Sequence, residues 1–250
     1  MANTWSPLHD AEEIRQQAVE LLGRHTPRSV EVDTRIEEGS AAEVLLGASA
    51  GAGLLVVGSR GRGGFRGLLL GSVSTACIQH ATCPVLVDRG GPMTEGRDTV
   101  VVGVDGSPES GRALRFAVTL ARRLGLRVRT ITTWQWPAAL NRDEPPFDHW
   151  TPEQDALATA SSALDAAEDL IDDDVRVTSE LVEGPPAAVL LEAGRDAAFL
   201  VLGSRGLGGF RGCSSVRSRR SVRSTRRARW WCTGRERARR PAERVPRPVG

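Results

Sequence analysis

Apolar and polar positions alternate between two periods along this chain. From Ala11 to Arg24 apolar residues recur at helical spacing, and Val30–Ile36 then reads as a strand. Ala41–Ala50 is a second helix, and Leu54–Val57 is a short buried strand that closes at Gly58. A glycine-rich loop leads into a helix across Gly71–His80. The strand Val85–Val87 follows, with Pro84 where a strand's first residues tolerate proline. Thr99–Val104 is apolar and β-branched, with the character of a strand buried on both faces. Ser107-Pro108-Glu109 signals a helix start, with proline at the first helical position, for a helix ending near Leu124. Strand Val128–Thr133, an acidic, proline-bearing loop Trp136–Trp150, helix Pro152–Ile171, strand Val175–Val182, helix Ala187–Arg195 and strand Phe199–Leu202 complete the pattern. Strands alternating with helices predict parallel sheets covered on both faces.

The second half of this pattern repeats the first. Shifted by 145 positions, the chain matches itself without a gap from residue 5 to residue 67. Trp5-Ser6-Pro7 falls on Trp150-Thr151-Pro152, and Glu38-Gly39 on Glu183-Gly184. Gly58-Ser59-Arg60-Gly61 falls on Gly203-Ser204-Arg205-Gly206, and Gly64-Phe65-Arg66-Gly67 on Gly209-Phe210-Arg211-Gly212. The duplication divides the chain into a first copy, 1–90, a linker, 91–97, a second copy, 98–212, and an arginine-rich remainder, 213–250.

Composition sharpens that division. No lysine occurs, and residues 213–250 carry 13 Arg against two Glu, so a formal net charge of +2 hides a basic end of +11 and a body of −9. The four cysteines form no CxxC pair and have no histidine at ligand spacing, which argues against zinc. Cys77 and Cys83 read as small core fillers. No apolar run approaches the roughly 20 residues needed to span a bilayer. The start, Met1–Asp10, shows no secretory pattern, so a cytoplasmic protein is expected.

The chemistry resides in the loop Gly58-x2-Gly61-x9-Gly71-Ser72. Strand, glycine turn and helix N-terminus form a phosphate-binding arrangement, because glycines admit the anion to backbone N–H groups and the helix dipole favours its charge. Ser72 and Ser74 add hydroxyls, and Arg60 or Arg62 could supply positive charge. Lacking lysine, the chain can be neither a Walker-type NTPase nor a protein kinase. This spacing, with the downstream Cys83-Pro84-Val85-Leu86-Val87, resembles the universal stress protein family. Val101-Val102-Gly103-Val104-Asp105-Gly106-Ser107 is similar to that family's first strand and aspartate turn.

The resemblance implies two Rossmann-like α/β domains of the adenine-nucleotide alpha-hydrolase-like kind, each with strand order 3-2-1-4-5. It implies ATP, with or without Mg, as ligand. Asp105 would face the nucleoside. Gly58, Arg60, Gly61, Gly71, Ser72 and Ser74 in the first copy, and Gly203, Arg205 and Gly206 in the second, would match the phosphate motif. As a simpler reading, Asp105 is a turn or capping residue and the glycines serve turn geometry.

Both copies are expected to be incomplete. The first lacks strands 1 and 2, and with them the aspartate turn. The second departs from the repeat after Gly212: Val216 and Arg217 stand where glycine and serine are expected. Cys213–Ser218 can be encoded so that the codons read one nucleotide earlier give Leu-Leu-Leu-Gly-Ser-Val, the counterpart of Leu68–Val73. Trp230-Trp231-Cys232 in that frame forces two valines where the repeat expects Leu86 and Val87. Residues 213–250 are therefore expected to be out-of-frame, disordered and without the second copy's last helix and strand.

The expected function is a non-enzymatic ATP-binding stress-response module, impaired by these losses. The alternatives are non-specific polyanion (nucleic-acid) binding through the basic tail and a truncated product without function; no specific nucleic-acid partner is expected. Domains of the family pair through the last strand, so Val85–Val87 is left as an edge for a homodimer.

Overall fold

The computed structural model describes residues 6–27, 29–61, 70–90, 97–137, 150–171 and 174–206, and the backbone alone of 230–233. The described chain falls into two compact units, 1–44 and 45–250.

In the first unit, helix α1 (Pro7–His25) begins with proline at its first position and ends on basic Arg24 and His25. It buries no residue. Arg15 pairs with Glu12 and donates to Thr34 Oγ1 at 3.3 Å, tying the helix to the segment that follows. That segment is a correction. Val30–Ile36 forms no strand, and Val30 is 53% exposed. A strand needs a ladder partner, and among the described residues none pairs with this segment.

The second unit holds one seven-stranded sheet in the order β1-β2-β7-β6-β3-β4-β5. Its strands are β1 (Leu55–Gly58), β2 (Val85–Asp88), β3 (Thr99–Gly103), β4 (Arg127–Trp134), β5 (Val177–Glu183), β6 (Phe199–Gly203) and β7 (Trp230–Thr233). From β5 inward, the second copy reads 3-2-1-4-5, as the resemblance implied. All its pairs are parallel, and β2 meets β7 antiparallel, joining a two-stranded and a five-stranded half.

Strand β7 corrects the expectation that residues 213–250 are wholly disordered and that the second copy lacks its last strand. It lies 145 positions after β2, residue for residue, and pairs Val85 with Cys232, Leu86 with Trp231 and Val87 with Trp230. A sheet position asks mainly for backbone N–H and C=O groups and for β-forming residues, and Trp, Cys and Thr meet that demand without the expected sequence. Consequently β2 is paired on both sides, by β1 and β7, and Val85–Val87 is not the free edge expected for a homodimer.

Helix α4 (Pro108–Leu124) has the clearest local logic. Ser107 caps it by accepting from Ser110 N at 3.1 Å, Pro108 opens it, and Gly125 closes it at φ +65°. Ala113, Leu114, Ala117, Val118 and Ala121 form the buried stripe that packs on Val100, Val102, Val128 and Val201. Helix α5 (Pro152–Asp165), begun by a Thr151–Gln154 capping box, covers the same face, and a 3-10 turn at Glu168–Leu170 follows it. Helix α6 (Pro186–Ala193) covers the opposite face over Val101, Ile131 and Leu200. The central strands β3 and β6 are thus buried from both sides.

Among the described residues the first copy has one such layer. Helix α2 (Ala41–Ala48), through Leu45 and Leu46, and α3 (Ser72–His80) pack on Leu55, Val57, Val85 and Val87. Leu55 and Val57 are buried while Val56 is 55% exposed, so β1 is buried on one face only, not the fully buried strand its apolar run suggests. Cys77 and Cys83 are free and buried in this core, and burial, with Cys83 nearby, pushes the Cys77 thiol above its ordinary range.

Ion pairs fasten the second copy. Arg127 donates to Asp98 at the start of β3 and β4, and Arg115 grips Asp169 at 2.7 and 3.0 Å. Hydrogen bonds from these arginines hold both carboxyls below their ordinary value. A lowered carboxylate contributes stability above its unfolded pKa, about 4, and loses it as pH falls through the folded value. Both pairs are exposed, so the effect is small. In thermal melts between pH 7 and pH 3, the Asp98→Asn/Asp169→Asn protein is expected to lose less stability on acidification than the parent.

Candidate functional site

The second copy assembles its site residues at the carboxyl ends of β3 and β6, neighbouring parallel strands on either side of the point where strand order reverses. Val104 N donates to Ile131 O at 3.0 Å, which extends β3 by one residue before the chain turns. Asp105 follows, half-buried, and Gly106 takes φ +78°, a left-handed turn that glycine adopts without strain. Asp105 Oδ1 accepts from Ser107 N at 3.0 Å and from Ser107 Oγ at 2.6 Å, so the carboxylate is held by the residue that caps α4. Asp105 therefore has the turn role of the simpler reading. The cap itself belongs to Ser107.

The strand opposite supplies the close approach. A Cβ on Gly203 would lie 2.9 Å from Glu109 C and Cβ and 3.0 Å from Ser110 N, so only glycine lets the start of α4 rest on the end of β6. A Cβ on Gly206 would overlap Asp105 Oδ2. Asp105, Gly203 and Gly206 are thus brought together, with Arg205 exposed between the two glycines and its carbonyl 3.5 Å from Ser107 Oγ. Ser107 and Ser110 were not among the expected site residues. Their signal was the Ser-Pro-Glu-Ser helix start, which reads as capping rather than chemistry.

The first copy gathers a different group. Gly58 ends β1, Arg60 and Gly61 are exposed beyond it, and the loop closes where Gly71 N donates to Ser59 O at 2.8 Å. Ser74 is 2% exposed, and its hydroxyl reaches Gly71 O at 2.9 Å and Ser59 O at 3.3 Å. It fastens the loop rather than facing a phosphate, which corrects its expected role as a donor. Ser72 is exposed at the first turn of α3, whose Gly71 cap makes no side-chain bond. Arg89, not singled out by the sequence, directly follows β2. Burial, then the charge of Arg60, lowers its pKa. Arg62 lies outside the described residues.

The two groups cannot share one ligand. β1 and β2 run antiparallel to β7 and β6, so the first copy's loop and Asp105 lie at opposite ends of the strands. A groove of about 830 Å³ opens elsewhere, between α6 and the β4–β5 edge, and none of the expected site residues line it. Among the described residues no group of three His, Cys, Asp or Glu gathers as a metal site, and no helix is long and apolar enough to cross a membrane.

Comparison with known proteins decides the family. A model of the universal stress protein family matches residues 2–89 and 96–218. The chain belongs to the universal stress protein family. It is 33% identical over 208 residues to a universal stress protein of Mycolicibacterium smegmatis, covering 82% of this chain and 68% of that one. A universal stress protein of Mycobacterium tuberculosis is 32% identical over 216 residues, covering 81% and 66%. The chain thus spans about two thirds of the length of these relatives. The crystal structure of a universal stress protein from Archaeoglobus fulgidus has the same fold, with a TM-score of 0.57 at 21% identity over 94% of this chain and 82% of that one. The duplication read from the sequence accords with the two matched segments.

Proposed function

We propose that the second copy is an adenine-nucleotide-binding, non-enzymatic stress-response module of the cytoplasm, with ATP as its ligand. The observation that carries the reading is the meeting of Asp105 with Gly206 at the carboxyl ends of adjacent strands. An acidic side chain there can accept from ribose hydroxyls, while the backbone after Gly203 turns toward the phosphates. Arg205, exposed between the glycines, adds positive charge on that side.

The module is impaired. Val216 and Arg217 replace the glycine and serine that close the phosphate cradle in the first copy as Gly71 and Ser72. The single carboxylate of Asp105, already held by Ser107, is no cage for magnesium, so any Mg would come with the nucleotide's phosphates. The first copy retains Gly58, Arg60, Gly61, Gly71 and Ser72 without an aspartate turn, the complementary half.

Calorimetric titration with ATP tests the reading. Asp105→Ala is expected to weaken binding about 10- to 100-fold, the loss of a charged hydrogen bond, with the fold monitored by circular dichroism. Restoring the frame after Gly212 is expected to strengthen binding. Unchanged affinity in Asp105→Ala, or no gain on restoration, would overturn the assignment.

A further inference from the structure

Resting on the nucleotide reading of the second copy, we infer that Trp136 and Trp150 form a stacking platform for the base, and that the site takes purines with little discrimination between adenine and guanine. Asp105 and the glycine turn leave the base unheld. Phosphates at the turn after β6 and a ribose at Asp105 after β3 bring the base over the next strand of the sheet, β4. Two strand spacings cover about 10 Å, the reach of a mononucleotide from phosphate to base. Gly103 pairs with Ile131, so the register continued past β3 sets Asp105 level with Thr133, three residues before Trp136.

The two tryptophans stand where the chain leaves the sheet after Trp134 and where it returns to Thr151, the cap of α5. Their rings meet there, with centroids 6.3 Å apart and planes inclined by 52°. Both ends of the excursion are fixed. Gly184 N donates to Trp134 O at 2.9 Å, and Thr151 and Gln154 close the capping box. Trp150 Nε1 donates to Asp155 Oδ2 at 2.9 Å, which sets the plane of its indole. The platform is thus organised before any ligand arrives.

Neither ring is core packing. Both residues are half-buried, and among the described residues neither joins the apolar clusters on the two faces of the second copy's sheet. Because the Trp150 N–H is already given to Asp155, this residue offers a π face rather than a pattern of donors and acceptors. Stacking of that kind tolerates any base and strengthens with ring area, so it favours the two purines over pyrimidines without telling them apart.

Calorimetric titrations of the full chain with ATP, GTP, CTP and tripolyphosphate test this. ATP and GTP are expected to bind within a few-fold of each other, and CTP more weakly. Trp136→Leu, which keeps apolar bulk without a ring, should weaken ATP and GTP about tenfold or more and leave tripolyphosphate unchanged. Trp136→Phe restores a ring and should retain most of the affinity, a difference that a merely structural role would not produce. ATP binding that depends on Asp105 but is equal in the parent and Trp136→Leu would overturn the inference and leave the nucleotide reading standing. Equal losses in the Leu and Phe variants, or GTP binding far weaker than ATP, would overturn it as well. Failure of the parent chain to bind any of the three nucleotides would instead remove the nucleotide reading itself, and the platform with it.

Discussion

Ending the chain at Gly212 is expected to lower the thermal midpoint by roughly 10–20 °C. Removing β7 takes away its ladders with both β2 and β6. Each strand hydrogen bond contributes about 1 kcal/mol net, so the loss is on the order of 5 kcal/mol, a large share of an ordinary domain's stability. Val85, Val87, Leu200 and Val201, all at most 1% exposed, would then border open edges. Among the described residues β7 is the strand that joins the two halves of the sheet, so cooperativity between them should fall with it. Calorimetric melts of the full and shortened chains measure this, with light scattering to follow aggregation through the new edges. Identical melts would show that residues 213–250 contribute nothing to the fold.

Gly203→Ala is expected to cost about 1–3 kcal/mol, the usual range for overpacking a close contact. The added methyl would press on Glu109 C and Ser110 N, which are backbone atoms of the first turn of α4 and cannot swing aside as a flexible side chain would. The turn that holds Asp105 moves with that helix start, so nucleotide affinity should fall together with stability. Gly58→Ala is the internal control. At the equivalent position its methyl makes ordinary contact with Arg60 O, and a near-neutral change is expected. Urea unfolding of both variants decides the matter, and equal midpoints would mean that α4 does not rest on β6 as described.

Much of the fold was legible because local patterns and tertiary demands agree. Helices α2 and α6 span Ala41–Ala48 and Pro186–Ala193, 145 positions apart end to end, and Gly39 and Gly184 share φ values of +140° and +145°. The repeat thus extends from residue identity to backbone conformation. Asp105 and Gly206 were singled out through the aspartate turn and the spaced glycines, and the structure places them in contact across 101 positions of chain. The hydroxyl of Ser74 was misjudged because sequence shows which groups can donate but not where they point. Only the closed loop, with Ser59 O and Gly71 O within reach, shows that this donor is already engaged.

By itself the sequence determined the duplication, the helix and strand types, the family and the residues that turn at the strand ends, since each depends on spacing and local conformational preference. Tertiary structure decided which strands found partners. Val30–Ile36 has strand composition and stays unpaired, while Trp230–Thr233, unlike Val85–Asp88 of the first copy in sequence, becomes a strand between β2 and β6. A β-strand's hydrogen bonds lie with its neighbours and not within itself, so its existence is settled by what stands beside it.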